Sequence, residues 1–189
     1  MDLDLPELHD EALASTRRYV AGIGTDQWAA ATPCADWDVR ALLNHIVSGN
    51  FWAAELSAGR TIEAVGDALD GDVLGDDLLA SYDQSSGAAS AAFHVPGAME
   101  AMCAVSYGPV PGEVYAGHRF IDVLIHGWDL AQATGQDTRL APELVEACWT
   151  VIEPQKDLLT GSGMFGERPE LPPDADRQAQ LLALLGRTP

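Results

Sequence analysis

Hydrophobic residues recur at three- and four-residue intervals along most of the chain, which is the spacing of amphipathic helices. Asp38 is a good N-cap, and Pro142 suits a first helical turn. Gly24 and Gly135 are typical helix stops. The pattern predicts helices over residues 5–23, 38–58, 75–93, 113–134 and 142–159, and a short last helix over 176–187.

The segments between these helices are rich in Gly, Pro and Asp, and they predict loops. The predicted connections are residues 24–37, 59–73, 95–112 and 161–173. Strand signals are nearly absent, apart from a short extended piece at Met102–Tyr107 inside the longest connection. We therefore expect an all-α protein, a helical bundle that forms one domain over residues 1–189.

The formal net charge of −19 narrows the choice of partners. Nucleic acids and anionic membrane surfaces both attract clustered Lys and Arg, which this chain lacks. We therefore expect neither partner. The simplest interpretation of the charge is a strongly solvated surface.

The cysteines indicate a reducing compartment. Cys34, Cys103 and Cys148 are odd in number and far apart, so the sequence contains no C-x-x-C pair. The N-terminal residues lack the basic and apolar regions of a signal peptide, and no run of eighteen apolar residues is present. These features favour a cytoplasmic protein outside the membrane.

The helix predicted over 113–134 carries unusual polar residues. Apolar side chains surround most of its circumference, with Phe120, Leu124 and Ala131 on one face, as in a buried helix. The remaining sector, roughly 80° wide on a helical wheel, lacks the Lys, Glu and Gln of a solvated face. It holds His118, Asp122, His126 and Asp129.

Asp122 and His126 are four residues apart, which places both side chains on one face with Cβ atoms about 5–6 Å apart. A carboxylate and an imidazole so placed can bind one metal ion. His118 lies about 12 Å along the axis from His126, so we expect it in the second shell or facing solvent. Asp129 is placed to hold the other ring nitrogen of His126.

A third ligand must come from another helix. Among the other histidines, His9 falls in an exposed-looking first turn and His94 at a helix end, whereas His45 borders the apolar face of its helix. His45 is the preferred candidate. The alternative interpretation is an ordinary hydrogen-bonded pair of Asp122 and His126 within one helix.

Two segments make the sequence resemble a known family. TPCADWDVRALLNHIV and the later HRFIDVLIHGWDLA resemble the mycothiol-dependent maleylpyruvate isomerase N-terminal family, within the DinB-like metal-binding superfamily. The resemblance covers nearly the whole chain. It implies an up-down four-helix bundle with one or two extra short helices, a divalent metal (usually Zn²⁺, or another ion such as Ni²⁺), and a possible homodimer.

The resemblance also assigns ligands. The histidine of the first family motif matches His45, and the acidic residue and histidine of the second match Asp122 and His126. The isomerase has glutamate where this chain has Asp122, and the shorter arm changes how the carboxylate reaches an ion. The isomerase also has a further C-terminal domain for which this chain leaves no room, so we do not expect activity on maleylpyruvate itself.

The implied chemistry uses an open metal position. Three protein ligands leave a fourth site where a thiol such as mycothiol would lose its proton. The sequence therefore predicts a thiol-dependent transferase or isomerase that acts on small electrophiles. Two alternatives remain: a non-catalytic metal-binding module, such as a sensor or partner-binding bundle, and a vestigial site reduced to a hydrogen-bond network.

Other residues are candidates for cofactor contact. Cys34 and Trp37 precede the second predicted helix, near the metal end in the family layout, and could line the pocket; packing is the alternative role of both. Arg40 and Arg119 are candidate clamps for a carboxylate on cofactor or substrate, and surface ion pairing is the alternative for them.

Overall fold

A computed structural model describes residues 3–155 and 168–189 of the chain. The prediction of an all-α fold is confirmed, since the only sheet in these residues is a two-stranded hairpin. The described elements are α1 (Leu5–Ala21), α2 (Val39–Ser57), α3 (Ile62–Val65), α4 (Leu78–Phe93), β1 (Met102–Val105), β2 (Gly108–Pro111), α5 (Gly112–Thr134), α6 (Pro142–Ile152), a 3₁₀ turn (Glu153–Gln155) and α7 (Arg177–Leu184).

The chain divides into two compact units, Met1–Asp137 and Thr138–Pro189, and the prediction of a single domain stays a prediction. In the first unit the four long helices form the bundle. Helix α1 packs against α5 and α4, and α2 packs against the same two helices. In the part of the chain that is described, no helix combines the length and apolar character needed to cross a bilayer.

Helix α5 is the most buried helix of the bundle, as its apolar circumference predicts. Phe120, Leu124 and Ala131 are all fully buried. Gly135 ends the helix in the left-handed conformation, with φ of 70°. At Gly127 the helix has no side chain, and Thr16 of α1 packs into the space.

Side-chain caps explain where the other bundle helices begin. Asp4, Asp38 and Asp77 each accept a hydrogen bond from a backbone N–H in the first turn of α1, α2 and α4. The predicted starts are close to these caps, whereas α1 ends at Ala21, two residues before the predicted end.

One local prediction is wrong, and a second is incomplete. Residues 59–73 are not loop throughout, because Thr61 caps a short helix over Ile62–Val65 that buries Val65. The predicted extended piece at Met102–Tyr107 is confirmed over Met102–Val105, where it forms one arm of an antiparallel hairpin. The second strand of this hairpin, Gly108–Pro111, was not predicted. Two of the four residues in that second strand are proline. Proline has no backbone N–H to donate to a neighbouring strand, so the sequence pattern does not indicate a strand here.

The second unit contains α6 and α7. Trp149 Nε1 donates to the carbonyl of Arg177 at 3.1 Å, and the Arg177 guanidinium lies 4.5 Å from the Trp149 ring centre. Helix α6 ends at Ile152, earlier than the predicted Leu159, and the 3₁₀ turn follows. Residues 156–167, which include part of this predicted helix and of the predicted connection 161–173, lie outside the described residues.

Candidate metal centre

The structure brings together the three residues that the sequence predicts as metal ligands. One ligand atom each from His45, Asp122 and His126 lies within 4.8 Å of the other two. Asp122 Oδ1 is 3.4 Å from His45 Nε2 and 3.5 Å from His126 Nε2. Two ligands bound at about 2.0–2.1 Å to a tetrahedral ion lie about 3.3 Å apart, so both spacings fit a zinc-sized ion.

The local sequence explains this convergence. Asp122 and His126 lie about one helical turn apart on one face of α5. His45 lies in the second turn of α2, which packs beside α5. Thr16 of α1 donates a hydrogen bond to the carbonyl of Val123 at 2.9 Å, which fixes α5 within the same turn as the ligands. Two imidazoles and a carboxylate form a common zinc ligand set.

A buried carboxylate orients His126. Asp129 is fully buried, and its Oδ2 lies 2.9 Å from His126 Nδ1. A neutral ring that donates Nδ1–H to Asp129 turns the lone pair of Nε2 towards Asp122 and His45. This is the carboxylate–histidine arrangement found behind many metal-binding histidines.

A turn before α2 covers one side of the centre. Thr32 Oγ1 donates to the carbonyl of Trp37 at 2.8 Å and accepts from the backbone N–H of Cys34 at 3.1 Å. The Trp37 ring stacks on His45 with centroids 4.6 Å apart. Cys34 Sγ lies 3.4 Å from Asp129 Oδ2 and 3.8 Å from His126 Nδ1. Cys34, His126 and Asp129 therefore form a second group of possible ligands, which shares His126 with the predicted one.

Arg119 lies behind Asp122, inside the bundle. Its side chain is nearly buried, and Nη1 donates to Asp122 Oδ2 at 2.8 Å. Nη2 donates to Asn50 Oδ1 at 3.2 Å. Both terminal nitrogens of Arg119 are therefore bonded within the chain, and the structure places this residue on a ligand rather than at the pocket mouth.

The charges of the group support one another. Burial opposes ionisation of Asp122, but Arg119 and His126 outweigh it and hold the pKa of Asp122 well below its usual range. Burial also disfavours charge on His126, yet the neighbouring carboxylates of Asp122 and Asp129 raise the pKa of His126 well above its usual value. A metal ion would have to displace that proton, because ligation requires neutral imidazole.

The other predicted site residues lie elsewhere. His118 Nδ1 pairs with the hydroxyl of Tyr107 at 2.6 Å, away from the three ligands. Arg40 forms an exposed ion pair with Asp72 at 2.7 Å. His94 caps the end of α4 and pairs with Asp10 at 2.9 Å.

The prediction that His9 is exposed is wrong. The ring is fully buried, and it packs edge-on against Phe93 with centroids 5.0 Å apart. Its helix turns this face inwards against α4 and α5. Burial lowers the pKa of His9 to about 3, so the ring is neutral.

Sequence reasoning missed the residues that support Arg119. Asn50 is fully buried, and Gly49 leaves the space that the Arg119 guanidinium fills. One signal was available, because Asn50 is a polar residue on the otherwise apolar face of α2. The adjacent Gly49 inside a helix is the second signal, since glycine there often marks a close approach.

Comparisons with known proteins agree with this architecture. The model of the mycothiol maleylpyruvate isomerase N-terminal domain family matches residues 9–131, which include most of α1, all of α2 and most of α5. Two uncharacterised proteins of Mycobacterium tuberculosis, from strains CDC 1551 / Oshkosh and ATCC 25618 / H37Rv, are each 34% identical over 185 residues. Those alignments cover 95% of this chain and 96% of each relative.

A solved structure shares the fold. The crystal structure of the mycothiol-dependent maleylpyruvate isomerase superposes with a TM-score of 0.63 at 14% sequence identity. The match covers 85% of this chain and 70% of that one. At this identity the likeness establishes the helical fold, and the chemistry of the present chain must be argued from its own residues.

Proposed function

Since the chain belongs to the mycothiol maleylpyruvate isomerase N-terminal domain family, we propose that it binds a zinc ion through His45, Asp122 and His126 and acts on a small-molecule thiol. The reaction class is thiol transfer to, or thiol-assisted isomerisation of, a small electrophile. Mycothiol is the thiol that appears in the name of this family. The observation that carries the proposal is the 3.4 and 3.5 Å spacing of the ligand atoms.

The surroundings of the ligands support metal binding over a simple hydrogen-bond network. Asp122 Oδ1 is too far from both imidazoles for strong hydrogen bonds, yet it faces both. By contrast, Asp129 makes a short contact of 2.9 Å to the same His126 ring. The cluster thus has close contacts behind the ligands and wider spacing between them, as a site prepared for an ion requires.

Access from solvent supports a reaction at the site. The side chains of His45 and Asp122 are 35% and 27% exposed, so a small molecule can reach the ligand atoms. When bound, zinc would lower the pKa of a coordinated thiol and stabilise the nucleophilic thiolate.

The chain's own residues have distinct roles in this proposal. His45, Asp122 and His126 hold the ion, while Asp129 keeps a proton on His126 Nδ1. Trp37 shields the face of His45 from water, which strengthens electrostatic interactions beside it. Cys34, next to Asp129, is close enough to line the path of an incoming thiol.

The test compares zinc content and thiol-dependent turnover in the wild-type protein and in His45→Ala. We expect about one zinc per wild-type chain, and loss of both zinc and turnover in the variant. His94→Ala is the matched control, because that histidine pairs with a carboxylate on the surface and should change neither quantity.

The outcomes separate the alternatives. Zinc that is retained by His45→Ala contradicts the ligand assignment. Stoichiometric zinc in the wild type without thiol-dependent turnover on a broad panel of electrophiles would support a non-catalytic metal-binding module instead.

A further inference from the structure

The two oxygens of the Asp122 carboxylate face different partners. Oδ1 faces the imidazoles of His45 and His126, whereas Oδ2 accepts the 2.8 Å hydrogen bond from Arg119. We propose that Arg119 is a positioning residue that occupies Oδ2 and so makes Asp122 a one-oxygen metal ligand. This inference rests on the proposed metal function of the site.

Arg119 is itself held from other helices. Its Nη2 donates to Asn50 of α2 at 3.2 Å, and Asn50 Nδ2 donates to Ser85 of α4 at 3.3 Å. Ser85 in turn donates to the carbonyl of Tyr82 at 3.0 Å. The guanidinium is therefore fixed by a chain of hydrogen bonds through the bundle interior, and it does not depend on Asp122 alone for its position.

Gly49 provides the room for this arrangement. A Cβ atom at position 49 would lie 2.5 Å from Arg119 Nη1 and 2.7 Å from both Cζ and Nη2. No real side chain tolerates such contacts, so any residue with a Cβ must displace the guanidinium. Because those atoms are the far end of a flexible side chain, the guanidinium would move rather than the helix backbone.

The geometry matters for the open coordination position. A carboxylate bound to a metal can use one oxygen or both. With Oδ2 engaged by Arg119, Asp122 supplies one ligand atom and leaves space for a thiol. Lysine could not replace Arg119, because its single ammonium cannot repeat the fork of two parallel donors to Asp122 and Asn50.

The experiment titrates Co²⁺ into the metal-free wild-type protein and two glycine variants, and follows visible absorption. Gly49→Ala is the test variant. Gly87→Ala is the matched control, since Gly87 also lies inside a helix and a Cβ there meets nothing within 4 Å. Both substitutions raise helix propensity equally, so a difference between them reports on the Arg119 contact.

We expect Gly49→Ala to bind Co²⁺ about 10–100-fold more weakly than the wild type, as changes behind a ligand usually do. Its visible bands should also weaken, because a freed Oδ2 raises the coordination number and four-coordinate Co²⁺ absorbs most strongly. Gly87→Ala should match the wild type in both affinity and spectrum. Arg119→Lys, which keeps the charge, should change the spectrum in the same direction as Gly49→Ala.

Two results would overturn the inference. Wild-type affinity and spectrum in both Gly49→Ala and Arg119→Lys would show that Arg119 does not control Asp122. A wild-type protein that binds no Co²⁺ would overturn the proposed metal function as well, which distinguishes the two failures.

Discussion

The described residues of the first unit contain three clusters of side chains that could hold a metal ion. Two of them combine histidine with carboxylates and share no residue, and these two differ in the contacts around their side chains. In each cluster the ligand atoms lie within 4.8 Å of one another. We call them the bundle cluster (His45, Asp122 and His126) and the surface cluster (Glu7, Asp10 and His94).

The surface cluster contains one close contact between its own members. His94 Nε2 lies 2.9 Å from Asp10 Oδ2, a direct hydrogen bond, and the His94 side chain is 46% exposed. In the bundle cluster the ligand atoms stand further apart, and Arg119 and Asp129 hold them from behind. The comparison teaches that clusters of the same residue types can differ in the support behind their side chains, and the proposed metal site is the cluster that has such support.

The largest expected effect on zinc affinity comes from replacing the aspartate of the bundle cluster, with the aspartate of the surface cluster as its control. Asp122→Asn removes the charge of a proposed ligand in the bundle cluster with little change of shape. Substitutions behind a ligand typically weaken metal binding about 10–100-fold, and the loss of zinc affinity in Asp122→Asn should be larger. Asp10→Asn makes the same change in the surface cluster and should leave zinc affinity unchanged. Isothermal titration of both variants checks this, and equal losses would erase the distinction between the clusters.

The next effect concerns the carboxylate behind His126. Asp129→Asn should weaken zinc binding about 10–100-fold, because the amide holds the Nδ1 proton less strongly and makes Nε2 less basic. Asp83→Asn, which breaks an exposed ion pair with Arg17, is the control. An affinity for Asp129→Asn within twofold of the wild type would show that Asp129 is only a packing residue.

A third prediction compares His9, the sequence neighbour of Asp10, with His94 of the surface cluster. His9 has a folded-state pKa of about 3, below its value of 6.5 in the unfolded chain. The unfolded chain therefore binds a proton that the folded chain does not, and the contribution of His9 is fully present above about pH 6.5 and declines as the pH falls towards 3. The expected slope is about 1.4 kcal/mol per pH unit.

Urea unfolding at pH 7 and pH 5 measures this slope. His9→Phe should remove much of the acid destabilisation, and His94→Phe is the control, because the His94 side chain is 46% exposed. An unchanged pH dependence in His9→Phe would contradict the prediction.

The smallest effect is expected at Arg40. Its ion pair with Asp72 is exposed, unlike the part-buried pair of Arg119 and Asp122. Arg40→Gln should therefore leave the unfolding midpoint and the zinc affinity at wild-type values. A selective loss of thiol affinity in this variant would instead assign Arg40 to cofactor binding.

The proximity of Asp122 and His126 could be predicted because helical spacing is a local property. The four-residue interval between Asp122 and His126 fixes their common face whatever packs against it. The role of Arg119 could not be predicted in the same way, because its contact with Asn50 joins residues 69 positions apart. Only the packed bundle brings those two side chains together.

In the fold, too, local features could be predicted from the sequence, and features that depend on packing could not. Helices with strong periodicity and caps, such as α2 and α5, were predicted within a residue or two of their bounds. The burial of His9 was not predictable from its place in the first turn, because α1 turns that face towards α4 and α5 only after the bundle forms. The proline-rich strand β2 likewise depends on pairing with β1.

The hydrogen bond from Thr16 to Val123, with Thr16 packed into the gap at Gly127, sets the rotation of α5 about its own axis. A small turn of α5 would swing both of its ligands away from His45. An ion that binds only when α5 has this rotation stabilises that rotation. By thermodynamic linkage it also stabilises the packing of α1 against α5. Zinc should accordingly slow backbone hydrogen exchange in α1, a helix that supplies no ligand.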